Sequence, residues 1–344
     1  MELRGIAVAA AVFGVVAAQG ADLGKYMLPD ADIMAVSVGD DSQKGPYSKA
    51  IEAASADFKL DEILKEACSK DQECATKIMQ YIDLLTNGVK RVETAMSAKL
   101  TPGAQKGPGD AFETKVDIAF AAAGLKNLDK IFAKLAADFP KYVKLENGAL
   151  VPVLPEGVDI GGTAKAWVED GVLRATFDQT AGPRRAPSPK AFKALLARLN
   201  GAPYAGLRIK DPIGIVKRFV PPEGIEQLSA DENMAEVMKL RGAGFDCIED
   251  KAEPFLTTTV TFVFDAPATA ESAAEKLIGF KQLGLMTVKQ MEADLGAEHK
   301  ETAALAKKTL SGVKVEAKGD KVLVTIKADA RDAVKQLKSM QNAK

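Results

Sequence analysis

Hydrophobic and polar positions alternate along this chain in two rhythms, one of period two and one of three-and-four spacing, and each marks out its own elements. Asp32 to Val38 (DIMAVSV) has the length and β-branched content of a strand. From Asp61 to about Leu100, apolar residues recur at Ile63, Leu64, Ala67, Ile78, Met79, Ile82, Leu85, Val89 and Val92, which predicts a pair of amphipathic helices. The glycine-rich Thr101 to Asp110 (TPGAQKGPGD) reads as the loop that ends them. Lys115 to Phe120 alternates as a strand, and Asn127 to Phe139 returns to helical spacing. Thr163 to Phe177 predicts a hairpin turning at Asp170-Gly171, because a two-residue hairpin turn needs positive φ at both positions.

A second stretch repeats this order. A strand is expected near Tyr204 to Ile209, then a short helical region with Pro212, Pro221 and Pro222 close by, then strands around Phe245 to Ile248 and Phe255 to Phe264. A long helical region from about Ala268 to Leu310, broken near Gly284 or Gly296, leads to a hairpin over Val313 to Lys327 and a last helix over Asp329 to Met340. Shifted by 149 positions, Ala164 to Phe177 lies on Val313 to Ile326, so that Ala166, Val168, Leu173, Ala175 and Phe177 meet Val315, Ala317, Val322, Val324 and Ile326. Lys115 to Phe120 matches Thr259 to Phe264 in the same manner. Between the stretches, Ala181 to Lys190 (AGPRRAPSPK) carries three prolines and three cations, a composition that sustains neither helix nor sheet hydrogen bonding. The organisation expected is a first domain over 21–180, a proline-rich basic linker over 181–190 and a second domain over 191–344. The fold class is α+β: two tandem, duplicated domains, each an antiparallel sheet with helices packed on one face.

Residues 1–20 follow neither rhythm. Arg4 stands near the α-amino group, and Gly5 to Ala18 (GIAVAAAVFGVVAA) runs without a charge. Such a run spans about 21 Å as a helix, short of the roughly 30 Å hydrocarbon core. It therefore reads as a signal peptide, with Ala18 and Gly20 as the small residues before a cut ahead of Ala21. The expected location is periplasmic or secreted, with no stable membrane span in the mature chain.

Charge and composition narrow the chemistry. Lys and Arg number 46 against 47 Asp and Glu, so the basic excess that drives phosphate-backbone binding is missing and nucleic acid is not an expected partner. Aromatic residues make up 6% of the chain and Trp167 is its only tryptophan, which disfavours a sugar-binding groove built on several ring platforms. Cys68 and Cys74 on one continuous helix would lie about 9 Å apart along the axis and about 120° apart around it. Ser69 to Gln72 fits a capping box, however, and a helix break there brings the thiols within reach of a disulfide, the bond expected in an oxidising compartment. Cys247 reads as a buried free thiol.

No catalytic, cofactor-binding or metal residue is assigned. The single histidine, His299, lies in a charged helical stretch, and no G-x-S-x-G sequence supplies a nucleophile elbow. Asp30, Asp32, Asp40 and Asp41 are candidate oxygen ligands for Ca²⁺ but lack the D-x-D-x-D-G loop, and turns at the ends of a strand account for them equally. Gly107 and Gly109 have no preceding strand and no Lys-Ser/Thr, so they do not form a phosphate loop. Arg184, Arg185 and Lys190 are a solvated linker, with an anionic partner as the sharper alternative.

Lys25 to Asp32 (KYMLPDAD), following the apolar run and preceding a hydrophobic strand, resembles the opening of exported bacterial proteins of unknown function that begin with a leucine-proline-alanine-aspartate phrase. Their later helices and hairpins are similar to Ala268 to Lys327, while this chain has Asp30 where the phrase has alanine. The resemblance implies an envelope-associated protein and brings no catalytic residues. The function expected is non-catalytic binding or scaffolding in a bacterial cell envelope, toward a partner or ligand that the sequence leaves unspecified. Two alternatives stand beside it: a carrier of an apolar or lipid ligand held between helix and sheet, and a hydrolase working with carboxylates alone.

Overall fold

The computed structural model describes residues 23–55, 72–180, 204–294 and 300–335, apart from positions 87, 106, 108, 109, 111, 156 and 233. The expected signal peptide, the 181–190 linker with Arg184, Arg185 and Lys190, Cys68 and His299 lie outside these residues. In chain order the elements are a 3-10 turn (Leu23–Tyr26), β1 (Ile33–Asp40), α1 (Pro46–Ser55), α2 (Gln72–Thr86), β2 (Arg91–Gln105), β3 (Phe112–Ala123), α3 (Leu128–Asp138), β4 (Val143–Glu146), β5 (Ala149–Pro152), β6 (Thr163–Glu169) and β7 (Val172–Asp178). There follow β8 (Tyr204–Lys210), α4 (Pro212–Phe219), α5 (Pro222–Ala230), β9 (Leu240–Glu249), β10 (Phe255–Phe264), α6 (Pro267–Asp294), α7 (Lys300–Gly312), β11 (Lys314–Lys318) and β12 (Lys321–Asp329). The chain is mixed α+β, as its two rhythms indicate. Described residues within 1–44, 55–101 and 115–205 form one compact unit, and those within 45–54, 102–114 and 206–344 form the other.

In the first unit the strands run in the order β1-β2-β3-β7-β6-β5-β4. Period two sends alternate side chains to opposite faces. One face carries Val92, Phe120, Ala122, Leu173, Ala166 and Val168, against which α2 and α3 pack Tyr81, Leu85, Leu128, Ile131 and Phe132. Burying a side chain of this size contributes about 1.5–3 kcal/mol. The opposite face carries Val36, Val38, Ala95, Ala121, Ala123 and Val172, and it is covered by Leu23, Tyr26 and Met27.

The expectation of helix from Asp61 to about Leu100 fails over its last ten residues, which form β2. Val89 and Val92 continue the helical spacing, but Gly88 turns the chain at φ 69° and the strand begins at Arg91. Val92 to Ala95, Ser97 and Ala98 are all buried, so both faces of β2 are covered. A strand enclosed in this way loses the alternation by which strands are read. The strand also runs on through Gln105 into the segment expected to be a loop.

The Asp170-Gly171 hairpin forms as expected, with φ of 53° and 74°. A second hairpin, β4-β5, turns at Asn147-Gly148 with φ of 50° and 78°. Asn-Gly between short apolar runs is the sequence signal for that turn.

In the second unit the order is β8-β9-β10-β12-β11. Its core, made of Phe264, Ala270, Ala273, Ala274 and Val322, seats the first turns of α6 on the sheet. α6 passes straight through Gly284, so of the two places expected for a break that one is not used; the other, Gly296, lies outside the described residues, between α6 and α7. Gly244 lets β8 approach β9 closely: a Cβ at this position would lie 2.5 Å from the Leu207 carbonyl oxygen. α1 is held by Glu249, a buried carboxylate that accepts hydrogen bonds from the Ser48 backbone N–H at 2.6 Å and from Ser48 Oγ at 2.7 Å. An anion at a helix N-terminus satisfies otherwise unpaired donors and the positive end of the helix dipole together.

Candidate functional site

The richest constellation of rings and charges among the described residues lies on the face of the first sheet opposite α2 and α3. Parity places it there. Ala166 and Val168 of β6 face the helices, so Lys165, Trp167 and Glu169 face the other way. On β7, Arg174 pairs with Trp167 and Thr176 with Lys165.

The side chains form a cross-strand stack. The Arg174 guanidinium carbon lies 4.5 Å from the centroid of the Trp167 ring and 4.5 Å from that of Tyr26. Lys165 Nζ lies 4.9 Å from the Trp167 centroid. Glu169 accepts hydrogen bonds from Arg174 Nη1 and, at 3.2 Å, from Trp167 Nε1. The Arg174 guanidinium, and secondly the indole N–H, hold the Glu169 carboxyl below its ordinary value. Each cation over a ring contributes about 0.5–1 kcal/mol at a site this open. The arrangement fixes Trp167 and uses up Arg174 and Glu169 on each other. Lys165 is left with the Trp167 ring as its only charge or ring contact among the described residues.

Beside this stack, β4 and β5 form an open hollow of about 360 Å³ lined by Glu146, Asn147, Ala149, Val151, Lys165 and Trp167. Ala149, Val151 and the indole give its lining an apolar part, and Asn147, Glu146 and Lys165 a polar and charged one. Glu146 is paired to Lys144 at 2.5 Å. Next to Arg174 the face has two anomalies. The Tyr26 and Thr176 hydroxyl oxygens are buried with no partner in normal hydrogen-bond geometry among the described residues, a state that costs roughly 1–3 kcal/mol at Thr176, while Tyr26 has the Lys25 ammonium 4.6 Å from its ring centroid.

The carboxylates elsewhere are occupied structurally. Asp30 and Asp32 stand at one end of β1 and Asp40 and Asp41 at the other, so roughly 26 Å of extended chain separates Asp32 from Asp40 and the four form no common site. Asp32 accepts from the Leu100 N–H at 2.8 Å, and Asp41 pairs with Lys44 at 2.8 Å. Burial works to raise the Asp40 carboxyl, but hydrogen bonds from Ser42 and Arg91 outweigh it and the net shift is downward. Lys134, then Tyr81, lowers Asp138; Arg331 lowers Asp329; Lys276, then Ser272, takes Glu236 down to about 2. Among the described residues no three His, Cys, Asp or Glu side chains converge as a metal site.

Cys74 belongs to α2, but nothing in the described residues bears on the Cys68–Cys74 bond. Cys247 is a free thiol, half-buried where full burial was expected, and its sulfur lies 3.2 Å from Thr258 Oγ1. Sequence reading registered Trp167 only as a solitary tryptophan. The signal available was the pairing implied by the Asp170-Gly171 turn, which sets Trp167 opposite Arg174; Tyr26, 141 positions from Trp167, gave none.

Comparison with protein-family models, curated proteins and solved structures finds no match for this chain.

Proposed function

We propose that this chain is an exported, non-catalytic binding protein of a bacterial cell envelope, and that it receives its ligand in the open hollow of the first unit beside Trp167. The observation that carries the reading is the hollow lined by an indole that Arg174 and Glu169 lock in place and by Lys165, whose positive charge has no ion-pair partner among the described residues. A site of this make-up suits a small ligand in which an anionic group adjoins a flat or apolar portion. The address is the charge-free run over Gly5 to Ala18. No helix among the described residues is long and apolar enough to cross a membrane.

The two alternatives fit the geometry less well. A lipid carrier calls for an enclosed apolar cavity, and this hollow is open with charged walls. A carboxylate hydrolase needs a general acid of raised pKa, whereas the shifted carboxyls among the described residues are all moved down.

We also infer that the units descend from one duplicated domain. In each, a strand, a helical segment, two strands, a further helical segment and a closing hairpin follow one another, with matching sheet orders β1-β2-β3-β7-β6 and β8-β9-β10-β12-β11; the first unit adds the β4-β5 hairpin after α3, and the second has α6 and α7 where the first has α3 alone. The 149-position shift carries Trp167↔Arg174 and Lys165↔Thr176 onto Glu316↔Leu323 and Lys314↔Thr325, which are pairs in the second hairpin. For the preceding strand the matching shift is 140, since Phe120 faces Ala175 as Val260 faces Val324. The alignment of Lys115 to Phe120 with Thr259 to Phe264 is thus four residues out of step.

Because Trp167 is the sole tryptophan, its fluorescence reports directly on the site. Titration with an N-acylated dipeptide bearing a free carboxylate is expected to give a saturable change that is lost when the peptide is amidated and weakened in Lys165→Met. Equal responses to both peptides, or no saturation at millimolar concentration with either, would overturn the assignment.

A further inference from the structure

α6 buries Ala270, Ala273, Ala274 and Leu277 against its own sheet. The next three turns present large apolar side chains to solvent: Ile278 is 40% exposed, Phe280 67%, Leu283 56% and Met286 61%. At about 100° per residue, Gly279, Gln282, Leu283 and Met286 fall within an arc roughly 100° wide, opposite the buried stripe, with Ile278 and Phe280 on its flanks. Gly279 sits within this arc with open space around it, since a Cβ there would meet nothing within 4 Å. Mid-helix glycine costs helix stability relative to alanine, and no contact among the described residues requires it here. It leaves a shallow notch into which another helix can pack.

The charges along α6 say which helix. Lys276 pairs with Glu236 at 2.6 Å, and Lys281 Nζ donates to the Val313 carbonyl at 2.6 Å, so both are committed to this chain. Glu275 and Lys289 have no ion-pair partner among the described residues. They stand seven positions on either side of Gln282, on nearly the same line of the helix and about 10.5 Å from it in each direction. A second α6 laid antiparallel across a twofold axis at Gln282 brings each Glu275 level with the other's Lys289 and closes the apolar residues between the two pairs. A self-complementary patch of this kind is what an isologous dimer needs. An anionic membrane surface would call for a cationic face instead, and this one is balanced.

We propose that α6 is a homodimerisation helix whose partner is a second copy of this chain, packed antiparallel around Gly279, Leu283 and Met286. The patch is small beside the roughly 800 Å² per partner of a standard interface, so association is concentration-dependent.

Sedimentation equilibrium on the chain as recovered from its host, over a concentration series, is expected to show a reversible monomer–dimer equilibrium. Leu283→Glu should give a monomer with unchanged circular dichroism. Glu275→Lys turns two attractions into repulsions and should weaken the dimer about tenfold, and the double exchange Glu275→Lys with Lys289→Glu should restore it to within about threefold of the natural chain. A monomer at every concentration, a dimer indifferent to Leu283→Glu, or a double exchange that fails to recover would overturn the proposal. So would a monomer that floats with phosphatidylglycerol vesicles through this same face.

Discussion

Glu249→Gln tests the account of how α1 is anchored. The native carboxylate is buried, 4% exposed, and makes two short hydrogen bonds to Ser48 at the first turn of α1. Gln keeps the size and one acceptor oxygen but removes the charge. A hydrogen bond to a charged group contributes about 1.5–3 kcal/mol and a neutral one about 0.5–1.5, so the two bonds together should lose on the order of 2 kcal/mol. Loss of the anion from the helix N-terminus adds up to about 1 kcal/mol. For a unit of this size each kcal/mol moves Tm by about 2–4 °C, so the variant should melt roughly 4–12 °C lower. Calorimetry on Glu249→Gln, Ser48→Ala and the double variant gives the coupling directly. The two sites should be non-additive by about 1 kcal/mol, because they share the same bonds. A Glu249→Gln melt within a degree of the natural chain (about 0.3 kcal/mol), or fully additive single effects, would mean that Glu249 does not anchor α1 through Ser48.

Three further outcomes follow from other residues. Thr176→Val removes a buried hydroxyl that has no hydrogen-bond partner among the described residues while keeping the shape and the strand preference, so stability in urea should stay level or rise by up to about 1 kcal/mol; a loss of that size would mean the hydroxyl is bonded. Gly244→Ala forces a Cβ against the Leu207 backbone oxygen, which cannot swing aside, and should cost about 1–3 kcal/mol in thermal unfolding; an unchanged melt would contradict the close approach of β8 and β9. Glu236, held at about 2 in the folded chain by Lys276, contributes stability that is present above the ordinary carboxyl range and fades as pH falls toward 2. Lys276→Met should therefore raise the Glu236 pKa in a carboxyl NMR titration and move acid unfolding to higher pH, and an unmoved titration would break the link.

Much of this architecture was legible where local chemistry acts alone. Asp170-Gly171 and the alternation on either side of it located β6, β7 and their register, since positive φ and side-chain parity are short-range properties. β2 was illegible for the converse reason: Ala95, Ser97 and Ala98 are small, and both faces of the strand are covered, so enclosure by the rest of the sheet supplied what the residues did not signal. The run of α6 through Gly284 has a similar cause, for there Leu310 of α7 packs 3.6 Å from where a Cβ would stand, a contact from 26 positions away that no local signal shows. The Trp167 site was half visible. Its hairpin partner Arg174 follows from the turn, but Tyr26 and the β4-β5 wall come from distant parts of the chain.

Export underlies the proposed role, and Edman sequencing of the chain recovered from fractionated cells of its native host tests it most directly. The expected result is a polypeptide outside the cytoplasm that begins at Ala21, or at Gln19 if cleavage follows Ala18. A chain found in the cytosol with Met1 and its apolar run still attached would contradict it.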